Sequence, residues 1–266
     1  IAGPCSLESR DMCMQVAEFA FRETLDLGIE FVFKGSFDKA NRTSADSFRG
    51  NGMDQGLSIL SEIREEFNIP VLTDVHETHQ IDSVAKEVDV LQIPAYLCRQ
   101  TNLIEEAIKK IGSNKYTSSA LNIKKGQFLA PWDSAMLVKK AKKFNPNIER
   151  NQLWLTERGT TFGYNNLVVD MKGIHYLKKT GYPVIIDATH AVQEPGANGL
   201  SSGGKRFLVP LIARAAVAAG VDGVFLEIHP DPDQALSDGP NMLNLPQFKS
   251  LINQLSKIHE LVNSFN

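Results

Sequence analysis

Short apolar runs alternate with longer amphipathic segments along the whole chain. Eight of the runs have the length and composition of buried strands, and they lie at 1–2, 31–33, 71–73, 90–93, 119–123, 153–155, 184–186 and 223–226. Between them the apolar residues recur at helical spacing, at 9–27, 54–67, 77–87, 101–111, 133–144, 167–180 and 206–219, and a last helix is predicted at about 246–263. The pattern is therefore a repeated strand–helix unit.

Several of the predicted helices carry residues that favour helix ends. Ser9, Thr101 and Asp133 stand where an N-cap side chain is expected to accept a backbone hydrogen bond. Glycines follow four of the helical patterns, where a left-handed residue commonly ends a helix, at Gly28, Gly112, Gly181 and Gly220.

Eight such units in 266 residues match the size of a closed α/β barrel, the (β/α)8 TIM barrel. An open, doubly wound sheet is the alternative, but no Gly-x-Gly-x-x-Gly follows the first strand. No change in composition marks a domain boundary. We therefore expect a single barrel domain over residues 1–266.

The segment 191–204 has the least regular pattern and is rich in Gly and Ser. It is either a simple connection or a lid over a binding site, because long loops at one face of such barrels often close on substrate.

Composition narrows the class of ligand. The net charge of −3 argues against a protein that coats nucleic acid, and no apolar run approaches the roughly 20 residues that span a bilayer. The three cysteines do not form an even disulfide set, which favours the reducing cytoplasm. Local clusters of cations would then bind small anions.

Ionisable or amide residues stand at one end of every predicted strand. In a β/α barrel the reactive groups lie where strands lead into the following loops, and here those positions are Cys5, Lys34, Asp74 with His76, Gln92, Lys124, Glu157 with Arg158, Asp187 with His190, and Glu227 with His229. A complete ring of this kind, with apolar strand interiors, is typical of an enzyme.

Cations dominate part of this ring. The stretch 33–44 contains Lys34, Lys39 and Arg42 together with an amide and several hydroxyls, and Lys124 and Arg158 follow later strands. Lysine supplies a compact charge and arginine a planar fork that suits phosphate oxygens. Five such cations are enough for two phosphates and a carboxylate.

A mixed set of possible metal ligands is also present, namely Cys5, His190, Glu227 and Asp238. One sulfur, one nitrogen and two carboxylates suit Zn²⁺, Mn²⁺, Fe²⁺ or Co²⁺ better than Mg²⁺ or Ca²⁺. The four residues are scattered along the chain, so spacing alone leaves open a buried thiol and unrelated surface carboxylates.

Several of these stretches resemble the 3-deoxy-D-manno-octulosonate 8-phosphate synthase family, and the resemblance runs from the first strand to the last. The stretches are Ala2-Gly3-Pro4-Cys5-Ser6, Lys34-Gly35-Ser36-Phe37-Asp38-Lys39-Ala40-Asn41-Arg42-Thr43, Thr73-Asp74-Val75-His76-Glu77, Asn122-Ile123-Lys124-Lys125-Gly126-Gln127, Thr156-Glu157-Arg158-Gly159, Asp187-Ala188-Thr189-His190 and Glu227-Ile228-His229-Pro230-Asp231-Pro232. Members of this family are β/α barrels, usually tetramers.

The resemblance implies the reaction. These enzymes condense phosphoenolpyruvate with D-arabinose 5-phosphate and water, giving 3-deoxy-D-manno-octulosonate 8-phosphate and phosphate for lipopolysaccharide precursors. Members with Cys in the Gly-Pro-Cys position look metal-dependent, whereas relatives with Asn there work without metal. The resemblance therefore implies one divalent ion on Cys5, His190, Glu227 and Asp238.

The resemblance also implies roles for substrate-binding residues. Lys124 and Arg158 should hold the phosphate of phosphoenolpyruvate, with Gln92 and the backbone near Ala95 beside them. The sugar phosphate should be bound by Asn41, Arg42 and Thr43, of which Arg42 and Thr43 are expected to reach a neighbouring subunit's site.

The catalytic group is expected on the same ring. Lys34 and Lys39 should approach the carboxylate and the reacting carbons, and Asp74 should contact sugar hydroxyls. The complete catalytic set implied is Lys34, Lys39, Asp74, His76, Lys124, His190 and Asp238.

Three other functions remain possible at this point. A 3-deoxy-D-arabino-heptulosonate 7-phosphate synthase would use erythrose 4-phosphate, but its equivalent loop typically reads Lys-Pro-Arg-Thr, whereas this chain has Lys39-Ala40-Asn41-Arg42-Thr43. A Schiff-base aldolase would use Lys124 as its nucleophile. A non-catalytic barrel would bind a sugar phosphate or a metal without turnover.

Overall fold

The computed structural model describes residues 1–41, 47–112, 118–197 and 203–265. Within these ranges eight parallel strands form the barrel: β1 (Ala2–Gly3), β2 (Phe33–Lys34), β3 (Val71–Asp74), β4 (Val90–Ile93), β5 (Ala120–Lys124), β6 (Leu153–Glu157), β7 (Val184–Asp187) and β8 (Gly223–His229). Each strand pairs with the next, and β1 pairs with β8, where Ala2 lies opposite Leu226. The predicted (β/α)8 barrel is confirmed.

Helices surround the barrel and connect its strands. In the described ranges they are α1 (Arg10–Leu25), α2 (Met53–Phe67), α3 (Ile81–Glu87), α4 (Thr101–Lys110), α5 (Ser134–Phe144), α6 (Met171–Lys178), α7 (Val209–Ala218) and α8 (Leu245–Asn263). Their apolar faces pack on the strands in one core that extends around the barrel. No helix in these ranges is long and apolar enough to cross a membrane.

Three short strand pairings lie at the carboxyl end of the barrel. Thr160–Thr161 pairs antiparallel with Leu167–Val168 after β6, and Gln193–Glu194 pairs antiparallel with Gly203–Gly204 after β7. Leu243–Asn244 pairs in parallel with the end of β8. These pairings hold the loops that surround the candidate site.

The predicted helix at 167–180 is wrong at its start. Leu167–Val168 is extended because it pairs with Thr160–Thr161. The helix begins at Met171, where the Asp170 carboxylate accepts a 3.0 Å hydrogen bond from the backbone N–H of Lys172.

The capping predictions have mixed outcomes. Ser9 is confirmed as an N-cap, because its hydroxyl accepts from the Met12 N–H at 3.3 Å. The prediction that Thr101 is an N-cap is wrong, since Gln100 is the N-cap and Thr101 is already helical. Asp133 makes no side-chain cap because it closes the 3-10 turn Pro131–Asp133. The four predicted glycines all have a positive φ, between 62° and 84°.

The fourth strand ends where it was predicted, at Ile93, but several others extend beyond their predicted ends on the carboxyl side. The predicted strands stopped at residues 73, 123, 155 and 186, whereas Asp74, Lys124, Glu157 and Asp187 are still part of the sheet. The parallel hydrogen-bond ladder continues past the apolar run. This places the charged side chains on the barrel itself, on backbone that is fixed by its neighbours.

Candidate active site

A cavity of about 770 Å³ opens at the carboxyl ends of the barrel strands. Side chains from successive strand ends line it, and the rest of its wall comes from the loops after β2, β4, β7 and β8. This is the face where enzymes of this fold carry their reactive groups. The described residues of the ring that line it are Lys34, Lys39, Asn41, Asp74, His76, Gln92, Ala95, Lys124, Arg158, His190 and Asp238.

Lys34 lies at the floor of the cavity and is 2% exposed. Its ammonium donates to the Ser36 hydroxyl at 2.8 Å and to the backbone oxygen of Cys5 at 3.2 Å. Glu227 Oε1 lies 3.4 Å away. A buried ammonium needs such partners to offset the loss of water, and together they fix its position between β1, β2 and β8.

Asp74 and His76 form a buried pair on the same wall. Asp74 Oδ1 accepts from the Ser36 hydroxyl at 2.5 Å, and His76 Nε2 lies 3.0 Å from Asp74 Oδ2. Burial alone would raise the pKa of Asp74, but the His76 hydrogen bond and the charges of Lys34, His76 and Lys39 hold it well below its usual range. Asp74 is therefore ionised at neutral pH.

Lys39 approaches from the loop after β2, and its ammonium donates to the Ser36 hydroxyl at 3.2 Å. Burial disfavours its charge, but the negative groups of Cys5, Glu227, Asp74 and Asp238 outweigh that effect and raise its pKa. Lys39 is thus a permanent cation.

Lys124 lies across the cavity at the end of β5. Its ammonium donates to Asp187 Oδ2 at 2.5 Å and sits 3.8 Å from the centroid of the Phe225 ring, in a cation–π arrangement. Burial lowers the pKa of Lys124, with a smaller contribution from Lys34, and Asp187 opposes the shift. The pKa of Asp187 is itself well below its usual range, because His190 and Lys124 overcome the effect of burial.

Arg158 follows β6 and is 4% exposed. One guanidinium nitrogen donates to Gln193 Oε1 at 3.0 Å, and the buried Nη1 atom has no hydrogen-bond partner among the described residues. Gln193 in turn donates to Asp238 Oδ1 at 3.3 Å. The unpaired Nη1 donor of Arg158 and the ammonium of Lys124, which is paired with Asp187, thus line the same cavity.

Gln92 and Ala95 form the wall beside these cations. The Gln92 Oε1 atom accepts from Asn122 at 3.0 Å, and Asn122 accepts from the Thr156 hydroxyl at 2.7 Å. This chain of amides crosses β4, β5 and β6 and fixes the Gln92 side chain.

A thiol and two carboxylates meet beneath the cavity. One ligand atom from each of Cys5, Glu227 and Asp238 lies within 4.8 Å of the others. The Cys5 thiol lies 3.0 Å from the Ser237 hydroxyl and 3.1 Å from Asp238 Oδ2. Burial and the two carboxylates raise the pKa of the thiol well above its usual value.

These residues fit a divalent cation. Within the part of the chain that the structure describes, the buried Glu227 Oε2 atom accepts no hydrogen bond, although it lies in a cluster that already carries like charges. A thiolate and carboxylates are ligands that Zn²⁺ and similar ions accept. A cation at this place would satisfy the free oxygen and favour the ionised thiol.

His190 borders this cluster but is outside the three-residue group. Its Nε2 atom is 3.7 Å from Glu227 Oε1, and its Nδ1 atom is 2.7 Å from Asp187 Oδ2. Histidines that bind metals commonly direct their second nitrogen at a carboxylate in this way. The role of His190 as a ligand stays a prediction.

Two members of the predicted ring turn away from the cavity. Glu157 accepts backbone hydrogen bonds from Arg158 and Gly159. His229 accepts from the Asp231 N–H, and its Nε2 atom lies 3.7 Å from Glu8. Arg42 and Thr43 lie outside the described residues, as does 198–202 of the segment 191–204, which the sequence left open between a simple connection and a lid.

The sequence interpretation assigned no role to four residues that organise the site: Ser36, Gln193, Phe225 and Ser237. Ser36 stands inside a stretch that was already quoted, two residues after Lys34, so its neighbourhood was a usable signal. Gln193 lies inside the segment 191–204 that was weighed as a lid from its sequence, whereas Phe225 carried no signal, because an apolar strand residue is common at any position.

The fold and the cavity define a class, namely a β/α-barrel enzyme whose site accepts anionic substrates. The chain matches the sequence profile of the DAHP synthetase I family over residues 1–264 and belongs to that family.

Curated relatives refine the comparison. The chain is 51% identical over 264 residues to a 2-dehydro-3-deoxyphosphooctonate aldolase of Francisella tularensis subsp. holarctica, covering 99% of this chain and 92% of the relative. It is 51% identical over 259 residues to a protein of the same name from Cyanothece sp., covering 97% and 90%. One from Azoarcus sp. is 50% identical over 264 residues, covering 99% and 91%. The name is a synonym of the synthase family that the motifs resembled, so that resemblance is confirmed.

Proposed function

We propose that this chain is a 3-deoxy-D-manno-octulosonate 8-phosphate synthase. It condenses phosphoenolpyruvate with D-arabinose 5-phosphate and water and releases phosphate, in a pathway to lipopolysaccharide precursors. The observation that carries the proposal is the meeting of Lys34, Lys39, Lys124 and Arg158 around one cavity. The names of the relatives, which span nearly the whole chain at about half identity, favour the octulosonate product over the heptulosonate one.

Lys124 and Arg158 bind the phosphate of phosphoenolpyruvate in this proposal. Their support is the free Nη1 donor of Arg158 and the position of Lys124 on the same wall. Gln92 and the backbone near Ala95 complete this subsite. Charge-assisted hydrogen bonds from both cations hold the phosphate and stabilise it as it leaves.

Lys34 and Lys39 bind the carboxylate of phosphoenolpyruvate. The Ser36 hydroxyl accepts from both ammonium groups, at 2.8 and 3.2 Å, so the two cations are held side by side. This orients the three-carbon substrate between two pairs of cations, one at each end. Such fixed orientation brings the reacting carbons into near-attack geometry.

The sugar occupies the part of the cavity nearest Asp74 and His76. The ionised Asp74 accepts hydrogen bonds from sugar hydroxyls, and His76 holds the carboxylate in place at 3.0 Å. Asn41 also lines the cavity and binds the sugar phosphate in this proposal. Arg42 and Thr43 are proposed to complete that subsite, with both side chains reaching a neighbouring subunit.

The reaction balances without a redox partner. C3 of phosphoenolpyruvate attacks the aldehyde carbon of the sugar, and the aldehyde oxygen takes up a proton. Water adds at C2 and gives up a proton, which forms a phosphorylated hemiketal. The bond from C2 to the phosphate oxygen then breaks while the hemiketal hydroxyl loses its proton, which leaves a ketone at C2 and inorganic phosphate that carries that proton.

Cys5, His190, Glu227 and Asp238 are proposed to hold one divalent ion of Zn, Mn, Fe or Co. A divalent ion there supplies Lewis acidity, for the aldehyde or for the attacking water. The protein side of the proposal rests on the unpartnered Glu227 Oε2 atom beside the Cys5 thiol. Asp187 orients His190 and holds Lys124, so one carboxylate links the proposed ligand set to the phosphate subsite.

We also propose a cytoplasmic homotetramer built from one barrel domain over 1–266. The cysteines at 5, 13 and 98 are all free and buried, as expected for a reducing compartment. Tyr96 and Phe128 line one small pocket of about 130 Å³ and are each 55% exposed. Exposed aromatic surface of this kind favours a subunit contact, and light scattering on the purified chain tests it.

Phosphate release in the presence of each sugar tests the function. Purified protein is mixed with phosphoenolpyruvate and either D-arabinose 5-phosphate or erythrose 4-phosphate. The proposal expects rapid release with arabinose 5-phosphate and little with erythrose 4-phosphate. The reverse order would assign the heptulosonate reaction, and binding of either sugar phosphate without release would indicate a non-catalytic barrel.

A further inference from the structure

A second pair of charges lies behind the proposed phosphate-binding cations, on the same two strands. Lys125 follows Lys124 at the end of β5, and Glu157 precedes Arg158 at the end of β6. The Lys125 Nζ atom lies 3.5 Å from Glu157 Oε1, and the two side chains are 1% and 2% exposed. Neither is among the described residues that line the cavity, so the reaction as derived above leaves this pair without a role.

Glu157 fixes the backbone from which Arg158 projects. Its Oε1 atom accepts the N–H of Arg158 at 2.9 Å and the N–H of Gly159 at 2.7 Å. Gly159 has a φ of +92°, so the chain turns sharply directly after the arginine. One carboxylate oxygen therefore holds the turn that sets the direction of the Arg158 side chain.

Lys125 does the equivalent for the end of β5. Its ammonium donates to the backbone oxygens of Gly126 at 3.2 Å and Leu129 at 3.3 Å. It also donates to the Thr160 hydroxyl at 3.0 Å, in the short hairpin that follows Arg158. The side chain thus ties the loop after Lys124 to the loop after Arg158.

Stability alone is a weak reason for such a pair. Burying two charges removes them from water, and apolar replacements of similar size are often neutral or stabilising. Here β5 directs Lys124 to the cavity and the adjacent Lys125 away from it, and Arg158 and Glu157 are arranged in the same way at the end of β6. The pair therefore couples the positions of the two cations that face the substrate.

We propose that Lys125 and Glu157 are positioning residues, which set the separation and direction of Lys124 and Arg158 for the phosphate of phosphoenolpyruvate. The inference rests on the proposed function and deepens its phosphate subsite. Displacing a substrate-binding group by a fraction of an ångström weakens binding and turnover strongly. The effect is expected on phosphoenolpyruvate and not on the sugar, whose proposed contacts lie on the opposite wall.

The test measures phosphoenolpyruvate binding by titration calorimetry, together with the KM of each substrate. In Glu157→Gln the amide oxygen still accepts the two N–H groups, but the charge opposite Lys125 is gone. The dissociation constant of phosphoenolpyruvate is expected to rise about tenfold, while the KM of arabinose 5-phosphate changes less than about twofold. The double variant Lys125→Met/Glu157→Gln removes the unpaired buried charge, so it should recover thermal stability but not phosphoenolpyruvate affinity.

Asp222→Asn serves as the matched control. Asp222 also accepts a strand N–H, from Val184 at 2.9 Å, and lies 3.4 Å from a cation, Arg150. It stands at the opposite end of the barrel, so its loss should lower thermal stability and leave phosphoenolpyruvate affinity unchanged.

The outcomes separate the two proposals. Wild-type affinity in a folded Glu157→Gln variant, or parallel changes in both KM values as stability falls, overturns the positioning role. If neither Lys125 nor Glu157 variants fold, Thr160→Val decides, since it removes one acceptor of Lys125, and unchanged phosphoenolpyruvate affinity there overturns the role too. A wild-type chain that binds no phosphoenolpyruvate would instead contradict the proposed function.

Discussion

The two ends of the barrel use charge in different ways. At the amino ends, carboxylates accept the first N–H of a strand: Asp89 accepts from Val71 and Asp222 from Val184, both at 2.9 Å. Asp222 keeps 28% of its side chain exposed, and its cationic partners Arg150 and Lys178 are more exposed still. These charges stay hydrated and satisfy backbone groups that the strand ends leave free.

At the carboxyl ends the charges are buried. Lys34, Lys124, Asp187 and Glu227 are each at most 7% exposed in their side chains. Two buried atoms of this group, Glu227 Oε2 and Arg158 Nη1, make no hydrogen bond to any residue in the described ranges. Buried charge with free hydrogen-bonding capacity is costly to a fold. The comparison teaches that the carboxyl end is arranged for a ligand and the amino end for the sheet.

The largest expected effect comes from Lys124→Met at the carboxyl end. The variant should lose about 10³-fold in kcat/KM for phosphoenolpyruvate, because it removes a preorganised cation from the reacting phosphate. Steady-state phosphate release measures the loss. Lys178→Met is the control, since Lys178 lies 3.9 Å from Asp222 at the amino end, and its activity should remain close to wild type.

Borohydride trapping addresses the alternative role of Lys124. The charge-clamp account expects no stable adduct when borohydride is added with both substrates. An adduct on Lys124 found by peptide mass spectrometry would establish a Schiff-base aldolase instead.

The second prediction compares two of the buried thiols, Cys5 and Cys13. Cys5→Ala should lose bound metal and about 10²-fold in activity together, as expected for loss of a ligand. Cys13→Ala is the matched control, because Cys13 is a buried thiol in α1 whose pKa burial raises to about 12. Metal content by mass spectrometry, and activity before and after chelation and Mn²⁺ or Zn²⁺ add-back, distinguish them. An unchanged chelator response in Cys5→Ala would remove Cys5 from the ligand set.

The third prediction is a pH dependence of stability. Folded Asp74 has a depressed pKa, so between that value and the pKa of an unfolded aspartate, about 3.9, the unfolded chain binds more protons. The stability contributed by Asp74 is therefore complete above about pH 4 and is lost as pH falls through the folded pKa. Asp74→Asn should be less stable than wild type by about 1–3 kcal/mol at pH 7, and thermal melts should show the difference shrinking below pH 4.

Asp82→Asn sharpens this comparison. Asp82 is an exposed carboxylate whose pKa Lys110 and Lys86 lower to about 2 through hydrogen bonds and charge. Water screens such pairs, so its removal should change the melting temperature less than the loss of Asp74. Equal effects at the two positions would contradict the distinction between buried and exposed charge.

Gly35→Ala, next to Lys34, tests packing instead of charge at the carboxyl end. A Cβ atom at Gly35 would lie 2.3 Å from Leu7 Cδ2, and Leu7 is 1% exposed. Overpacking there should lower the free energy of unfolding by about 1–2 kcal/mol. Leu7→Val in the same chain should recover part of that loss in denaturant melts, and strictly additive losses would show that the two side chains do not collide.

Most of the barrel could be predicted from the sequence because its repeat is local. Apolar runs such as 90–93 specify buried strands by themselves, and the glycines at 28, 112, 181 and 220 mark helix ends through a backbone property of their own. The prediction for the start of α6 was wrong for the opposite reason, since Leu167–Val168 takes its conformation from a partner strand.

In the site, too, the features set by local sequence could be predicted and those set by long-range contacts could not. The strand-end positions of Lys34, Asp74, Lys124 and Arg158 followed from the fold class. Lys125 and Glu157 lie on the opposite face because side chains alternate along a strand, but their 3.5 Å contact joins residues far apart in the chain and did not follow from the sequence. The hydrogen bonds from Arg158 to Gln193 and from Gln193 to Asp238 join three loops that are far apart in the sequence. Spacing along the chain does not predict them.

The most direct measurement of the central claim follows the new carbon–carbon bond. Phosphoenolpyruvate labelled with carbon-13 at C3 is incubated with arabinose 5-phosphate and the purified chain, and the label is followed by NMR. The account predicts that the label appears as a methylene carbon in an eight-carbon sugar acid while inorganic phosphate is released in equal amount. Label that stays in phosphoenolpyruvate, or that appears in the methyl group of pyruvate, would contradict it.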